Sequence, residues 1–165
     1  MRKSLLFIFF LPGLLGACKF NPNEQGKGVA LVQGEWEEEP VTYRDSLLQY
    51  TRHDIKFSCD SFYVTLKTKT QTNTYPDSCF NQGEWTEYAR GIYQQGHDTL
   101  YLSGTFTKAN WKQKISGCYR IGQYLEALII EKNVGDTLYI KSLSQHVPVK
   151  LVLKKRIVCQ PKPLN

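Results

Sequence analysis

The sequence predicts an all-β domain: an antiparallel up-and-down barrel of about eight strands with at most one short helix. Three observations support this prediction. Apolar and polar residues alternate along most of the chain after residue 28, turn residues separate the alternating runs at short intervals, and no strand–helix–strand spacing occurs. Such alternation buries one face of each strand, as in antiparallel sheets. Sequential hairpins of this number close most easily into a barrel, because closure removes the exposed edges.

The individual elements follow from the alternation and from the turn residues between runs. Phe62, Val64 and Leu66 share one face of their run, and Gly-Asp or Asp-containing turns lie near 58–60, 95–98 and 134–136. A short helix is expected near 44–51, where Asp45 can cap it. Strands are expected at 29–37, 53–58, 61–70, 84–95, 98–107, 113–121, 125–133 and 136–143, with a ninth candidate at 147–155.

The tetrapeptide Gln-Gly-Glu-Trp occurs twice, at 33–36 and at 82–85. Its flanks differ between the two places, whereas a true duplication would extend the identity beyond four residues. In both places a glycine stands just before an expected strand and a tryptophan just inside it. The repeated tetrapeptide is therefore interpreted as two strand starts rather than as an active site.

The first 17 residues have the form of a secretory signal peptide. Arg2 and Lys3 precede an apolar run that is too short to span a bilayer as a helix. The four residues 15–18, Leu-Gly-Ala-Cys, resemble the bacterial lipobox, which implies cleavage before Cys18 and lipid, palmitate included, on that cysteine. Lys19 in second place favours the outer membrane. The expected organisation is a signal peptide at 1–17, a lipidated cysteine and flexible tether at 18–28, the barrel at 29–159 and a tail at 160–165, in the cell envelope and facing the periplasm.

Four cysteines remain besides Cys18: Cys59, Cys79, Cys118 and Cys159. An even number in an exported chain predicts two disulfide bonds. Three pairings are open, and the pairing of sequence neighbours, 59 with 79 and 118 with 159, is favoured. None of the four belongs to a Cys-x-x-Cys pair, which argues against a zinc site.

The charge of the chain argues against nucleic-acid binding. The formal net charge is +6, and removal of Arg2 and Lys3 with the signal leaves 19 basic against 15 acidic residues, or +4. This excess is spread along the chain, whereas nucleic-acid binders usually concentrate it in one stripe. The expected partners are therefore the membrane, through the N-terminal lipid, and a small apolar or aromatic ligand.

The tripeptide at Gly34–Trp36 is similar to the Gly-x-Trp of lipocalins and related calycin barrels. In that family the tryptophan closes one end of the barrel, and a basic residue near the last strand stacks over it. The resemblance implies a lipocalin-like barrel, with Gly34 and Trp36 at the closed end and Arg156 as the stacking cation.

The chain also resembles a family of short Gram-negative lipoproteins, through the stretches at 50–53, 57–64, 98–108 and 116–122. Some relatives carry the label fumarate hydratase. The large fumarase class resembles a helical enzyme with a Gly-Ser-Ser-x-x-Met-Pro loop, whereas the single methionine here is Met1. An iron–sulfur class would need reduced cysteines, which an exported chain lacks. The label is therefore rejected.

Signals for catalysis are sparse. His53, His97 and His146 have no metal-ligand spacing, and no Gly-x-Ser-x-Gly elbow occurs. Among the carboxylates, Glu84, Glu87, Glu126 and Glu131 are candidates to project into the barrel, and 35–40 is an acidic cluster interpreted as a wet strand end. No catalytic residue, metal or cofactor is expected.

The aromatic content, ten Tyr, eight Phe and three Trp, favours a binding role, because amphipathic rings line many small-molecule sites. The leading hypothesis is a non-enzymatic, lipid-anchored barrel that binds a small molecule. The first alternative is a packed structural or protein-contacting module, such as an inhibitor of an envelope enzyme. The second alternative is an enzyme of unknown reaction.

Overall fold

A computed structural model describes residues 24–144 and 147–164 of the chain. Within these ranges, eight antiparallel strands follow one another in chain order, and the last pairs with the first to close a barrel. The strands are β1 (Gly34–Glu38), β2 (Gln49–Ser58), β3 (Ser61–Thr70), β4 (Glu84–Gly96), β5 (Thr99–Thr107), β6 (Gln123–Val134), β7 (Thr137–Ser142) and β8 (Val149–Arg156). The predicted fold class and strand order are confirmed. The signal peptide, Cys18, residues 19–23 and His146 lie outside the described residues.

Two predicted elements are wrong. The segment 113–121 is not a strand but part of a loop, with one isolated bridge from Gln113 to Thr107. Gly117 and Tyr119 have positive φ angles, which an extended strand does not accept. The ninth candidate, 147–155, supplies the eighth strand instead. The helix expected near 44–51 is only a 3₁₀ turn, Arg44–Ser46, because β2 already begins at Gln49.

The other helical segments are also short. A 3₁₀ turn, Ala30–Val32, precedes β1, where a strand was expected from residue 29. The α-helix α1 (Asp77–Phe80) continues as a 3₁₀ turn to Gly83. Both Gln-Gly-Glu-Trp tetrapeptides are strand starts, since β1 begins at Gly34 and β4 at Glu84. Over the residues that the structure describes, no helix is both long enough and apolar enough to cross a bilayer.

The two ends of the barrel differ. At one end, three two-residue turns join β2 to β3, β4 to β5 and β6 to β7, and each contains an aspartate. At the other end, the connections are longer and span 39–48, 71–83, 108–122 and 143–148. Long loops on a rigid scaffold are where binding sites concentrate. We refer to these as the closed end and the open end.

The closed end is sealed by the segment before β1. Val32 is fully buried, and the indole Nε1 of Trp36 donates a hydrogen bond to its carbonyl at 2.7 Å. The Gln33 side chain donates to the carbonyl of Cys59 and accepts from its N–H, both at 2.7 Å. These bonds satisfy buried polar groups and fix the segment against the turn between β2 and β3.

Apolar side chains fill the interior from the closed end to beyond its middle. Phe57, Phe62 and Leu138 are fully buried there. Where β4 meets β5, Gly91 and Gly104 are register partners. A Cβ added at either residue would lie 2.1 Å from a carbonyl oxygen of the other strand, so only glycine permits this close approach.

The structure corrects the favoured disulfide pairing. Cys59 is bonded to Cys159, with Cα atoms 4.8 Å apart, and Cys79 to Cys118, with Cα atoms 5.5 Å apart. Cys59 lies in a closed-end turn and Cys79 in an open-end loop, and the ten residues of β3 separate the two ends by roughly 30 Å. Because a disulfide spans at most about 7 Å between Cα atoms, each bond joins residues at one end of the barrel.

Both ends of the described chain lie against the closed end. The N–H of Gln25 donates to the carbonyl of Lys162 at 2.8 Å, and Glu24 forms an isolated bridge with Pro163. The N–H of Gly26 donates to the carboxylate of Asp60 in the turn between β2 and β3 at 2.9 Å. Residues 24–28, expected to belong to the tether, therefore contact the barrel.

Candidate functional site

The inward-facing side of the strands changes from apolar to polar near the open end. On six strands, a polar residue stands two positions beyond an apolar core residue, as Glu38 does beyond Trp36 and Glu87 beyond Ala89. Because side chains two apart share a face of a strand, these polar groups form one layer above the core. We call this layer the polar ring; its members are Glu38, His53, Thr68, Glu87, Glu126 and Ser142.

Above the polar ring lies a cavity of about 530 Å³, which we call the cup. Its wall carries four aromatic side chains, Tyr50, Tyr75, Trp85 and Tyr124. The cup reaches solvent beside Arg120, whose side chain is 47% exposed. Its size falls in the range of small-molecule pockets.

The first cluster of the polar ring centres on Glu38, which is 2% exposed. One carboxylate oxygen, Oε2, accepts from the Nδ1 and from the backbone N–H of His53, at 2.6 and 2.9 Å. The other, Oε1, accepts from the Tyr50 hydroxyl. Burial and the Glu38 carboxylate raise the pKa of Tyr50 well above its ordinary value. Glu38 therefore fixes the positions of both an imidazole and a phenol at the cup wall.

The second cluster centres on Glu87, which is 4% exposed. The guanidinium of Arg120 donates from Nη2 at 2.8 Å and from Nε at 3.1 and 3.2 Å, and the Arg120 N–H donates at 3.0 Å. The Trp85 indole adds a bond at 3.2 Å. Burial raises the pKa of Glu87, but the hydrogen bonds and the charge of Arg120 outweigh burial. The pKa of Glu87 therefore lies below its ordinary value. This carboxylate is charged and saturated with donors.

The third cluster centres on Glu126, which is half-buried. Its two oxygens accept from the hydroxyls of Ser142 and Ser144 at 2.8 and 2.6 Å. These donors are neutral, and none of the described residues forms a salt bridge with Glu126. Glu126 differs in this respect from Glu87, which is paired with a guanidinium.

Tyr124 stands two residues before Glu126 on β6 and lines the cup. It is 5% exposed, and its ring packs against Phe62 and Phe106 with centroids 5.6 and 5.5 Å away. Within the described ranges, no group forms a hydrogen bond with its hydroxyl. Burial, and then the charge of Glu126, raise the pKa of Tyr124 above its ordinary value, so the phenol is protonated.

The rim of the cup is held together by rings and by a disulfide. Trp85 stacks on Tyr119 with centroids 5.0 Å apart, and Tyr75 meets both rings edge-on. The Tyr119 hydroxyl donates to the carbonyl of Cys79 at 2.7 Å, next to the bond from Cys79 to Cys118. These contacts join the loops 71–83 and 108–122, so the rim is preorganised.

The residues that the lipocalin resemblance singled out lie at the closed end, away from the cup. Trp36 is 2% exposed and buried inside the barrel. Arg156 pairs in register with Gly34, but its guanidinium donates to Asp136 at 2.8 Å, which corrects the expected stacking over Trp36. The face of a buried indole is inaccessible to this exposed cation, and the Asp136 carboxylate is a stronger partner.

The structure separates the four candidate carboxylates. Glu87 and Glu126 face the cup, whereas Glu84 and Glu131 are exposed. His97 is exposed in the turn between β4 and β5.

Sequence reasoning missed three residues of the site. His53 was given no role in a site, and Glu38 was interpreted as part of a wet strand end, yet each continues the inward alternation of its strand. Arg120 lies in a loop, where no periodicity signals its direction.

Two further cavities lie on the outside of the barrel. One, of about 500 Å³, is lined by Tyr63, Thr65 and Trp111. The other, of about 910 Å³, includes Arg52, Lys67 and other outward-facing residues of β2 to β4. Both of these cations are paired with carboxylates. Of these three cavities, the cup is the one lined by the inward-facing polar residues His53, Glu87 and Glu126.

Across residues 24–144 and 147–164, no three His, Cys, Asp or Glu side chains are grouped so as to hold a metal ion. Comparison of the chain with family models, with curated proteins and with solved structures finds no match. The site must therefore be interpreted from its own chemistry.

Proposed function

We propose that this protein is a lipid-anchored, non-enzymatic barrel of the bacterial envelope that binds a small molecule in the cup. The observation that carries the proposal is a cavity of about 530 Å³ with aromatic walls over a ring of bonded polar groups. Small-molecule sites commonly combine an apolar wall with a few fixed polar groups that orient the ligand.

The preorganisation of the cup supports binding. Glu38, Glu87 and Glu126 each accept at least two hydrogen bonds from the protein, so their positions are set before a ligand arrives. The disulfide between Cys79 and Cys118 restrains the rim. A site that is already ordered loses little conformational entropy on binding, which leaves more of the contact energy as affinity.

The lipobox-like residues 15–18, Lys19 after them and the resemblance to short Gram-negative lipoproteins support an anchor at Cys18 and a place at the outer membrane, facing the periplasm. Glu24 is six residues further along and lies at the closed end. Six residues span at most about 20 Å. We therefore propose that the closed end is tethered to the bilayer and that the cup opens away from it.

Native mass spectrometry of the full chain, purified from cell envelopes, tests the binding proposal. We expect a bound mass on the wild-type protein that is lost on Thr74→Trp, because exposed Thr74 lines the cup and an indole there would fill it. The matched control is Thr72→Trp, an exposed residue of the same loop that does not line the cup. A wild-type protein without a bound mass, or with one that both variants retain, would contradict the proposal.

A second function, contact with another protein, is supported by the outer surface of the barrel. Ile92 on β4 and Leu125 on β6 are 52% and 61% exposed and are both register partners of Ser103, so they lie at one level on either side of β5. Exposed apolar patches often mark contact surfaces. A photoreactive amino acid at position 125 should crosslink to one discrete protein in intact cells, and the same group at position 67 should not. Equal patterns at both positions would refute a specific contact.

A further inference from the structure

The three carboxylates around the cup are held by different kinds of donor. Glu38 is bonded to the imidazole of His53, and Glu87 to the guanidinium of Arg120. Glu126 is bonded to two serine hydroxyls, which orient its oxygens but carry no charge. In the described part of the chain, Glu126 therefore lacks the cationic partner that Glu87 has, and its side-chain donors are hydroxyls. A half-buried charge of this kind attracts a mobile cation more strongly than a surface charge does.

A second group close to Glu126 also lacks a partner. The Tyr124 hydroxyl has no hydrogen-bond partner among the described residues, and Tyr124 as a whole is 5% exposed. Tyr124 and Glu126 are two apart on β6, so both face the cup. The phenol oxygen can therefore accept a hydrogen bond from a ligand in the cup without displacing a donor of the described residues.

The walls of the cup suit a positively charged organic group. Tyr50, Tyr75 and Tyr124 line the cavity with Trp85, and the faces of aromatic rings attract cations. Arg120, the lining cation, is already engaged by Glu87, so it offers little to an anionic ligand. A divalent metal ion prefers several carboxylate or carbonyl oxygens together, and no three His, Cys, Asp or Glu side chains of the described residues are grouped to hold one.

We infer that the cup selects small organic cations, in particular primary amines whose ammonium group donates to Glu126 and Tyr124 while the apolar body lies against the aromatic wall. This inference rests on the proposed binding function and adds the class of ligand. An ammonium group supplies three donors, which suits a carboxylate and a phenol oxygen on one face. A basic chain, +6 overall, would thus carry a cup of the opposite sign.

Calorimetric titration of the full chain in a non-ionic detergent tests the inference with three probes of similar shape. Phenethylamine is a cation, 2-phenylethanol is neutral and 3-phenylpropionate is an anion. We expect phenethylamine to bind about ten- to a hundredfold more tightly than 2-phenylethanol, since it adds one hydrogen-bonded charge pair, and 3-phenylpropionate to bind most weakly. Excess Ca²⁺ should not displace phenethylamine.

Two variants locate the effect. Glu126→Gln should abolish the preference for phenethylamine over 2-phenylethanol and leave the binding of the neutral probe nearly unchanged. Glu131→Gln, at an exposed position of the same strand, is the matched control and should keep the full preference. Tyr124→Phe retains the ring and should lower the affinity for phenethylamine by about fivefold, which corresponds to the loss of one neutral hydrogen bond.

The outcomes separate the inference from the function on which it rests. If 2-phenylethanol or 3-phenylpropionate binds as tightly as phenethylamine, the cation preference is overturned and the binding function stands. Displacement of phenethylamine by Ca²⁺, or full preference in Glu126→Gln, also overturns the inference. If no probe binds, the inference fails, and a native mass spectrum without a bound mass would then remove the binding function as well.

Discussion

Replacement of Arg120 by methionine should destabilise the barrel through the carboxylate that it leaves behind. Glu87 is 4% exposed, and three of its five hydrogen bonds come from the Arg120 guanidinium. Arg120→Met leaves two neutral donors, the Arg120 backbone N–H and the Trp85 indole. Removing one partner of a buried ion pair costs about 3–5 kcal/mol. Since the Arg120 side chain is 47% exposed, water offsets part of this, and we expect a loss of about 2–3 kcal/mol.

Urea unfolding at neutral pH, with the disulfides intact and tryptophan fluorescence as the signal, measures this loss. The same Arg120→Met change is then made in a Glu87→Gln background, in which the buried group is neutral. There it should lower the free energy of unfolding by less than about 1 kcal/mol. The two changes should therefore be coupled by more than about 1 kcal/mol. An equal loss from Arg120→Met in both backgrounds would refute the assignment of Glu87 and Arg120 as one buried pair.

The same pair predicts a pH dependence. The pKa of Glu87 in the folded state lies below its ordinary value of 4.5. A lowered folded pKa means that the stabilisation is complete above about pH 4.5 and is lost as the pH falls through the folded value. The difference in stability between wild type and Arg120→Met should therefore shrink on acidification below pH 4.5. A difference that stays constant from pH 7 to pH 3 would contradict the ion pair.

Three further predictions concern the scaffold and the anchor. Joint replacement of Cys79 and Cys118 by alanine should lower the free energy of unfolding by about 4 kcal/mol, because this disulfide closes a loop with a sequence separation of 39 residues. The same change should weaken phenethylamine binding, and unchanged binding would show that the rim needs no crosslink. Gly104→Ala should lower the free energy of urea unfolding by about 3 kcal/mol, because the added Cβ would lie 2.1 Å from the carbonyl oxygen of Arg90. An unchanged free energy would mean that β4 and β5 can separate there. Radiolabelled palmitate should be incorporated into the wild-type protein and not into the Cys18→Ser variant. Equal labelling of the two proteins would contradict lipidation at Cys18.

The fold could be predicted because its signal is local. Leu100, Leu102 and Phe106 alternate with polar residues, and a strand of period two is the simple structure that buries all three. The three closed-end turns were placed correctly for the same reason, because each is two residues long and contains aspartate. The segment 113–121 was wrong because it contains apolar residues without the backbone geometry of a strand. Left-handed residues of the loop 108–122, Trp111 and Tyr119 among them, are stabilised by ring contacts that depend on the tertiary structure.

The site was only partly predictable, because its contacts link residues that are distant in sequence. Glu87 and Arg120 are separated by 33 positions, and the disulfide pairing depends on which end of the barrel each cysteine occupies. Sequence proximity favoured the wrong pairing for that reason. Alternation does carry a usable signal, however: a polar residue such as His53 or Glu38 at an inward position near a strand end marks the layer where a core gives way to a site.

The three tryptophans of the chain allow the central claim to be measured directly. Trp36 is buried at the closed end, Trp85 lies in the wall of the cup and Trp111 lies on the outer surface. In a ¹⁵N-labelled protein, titration with phenethylamine should shift the indole N–H resonance of Trp85 and leave the other two in place. A shift of Trp111 with Trp85 unmoved would place binding outside the barrel and contradict the assignment of the cup as the ligand site.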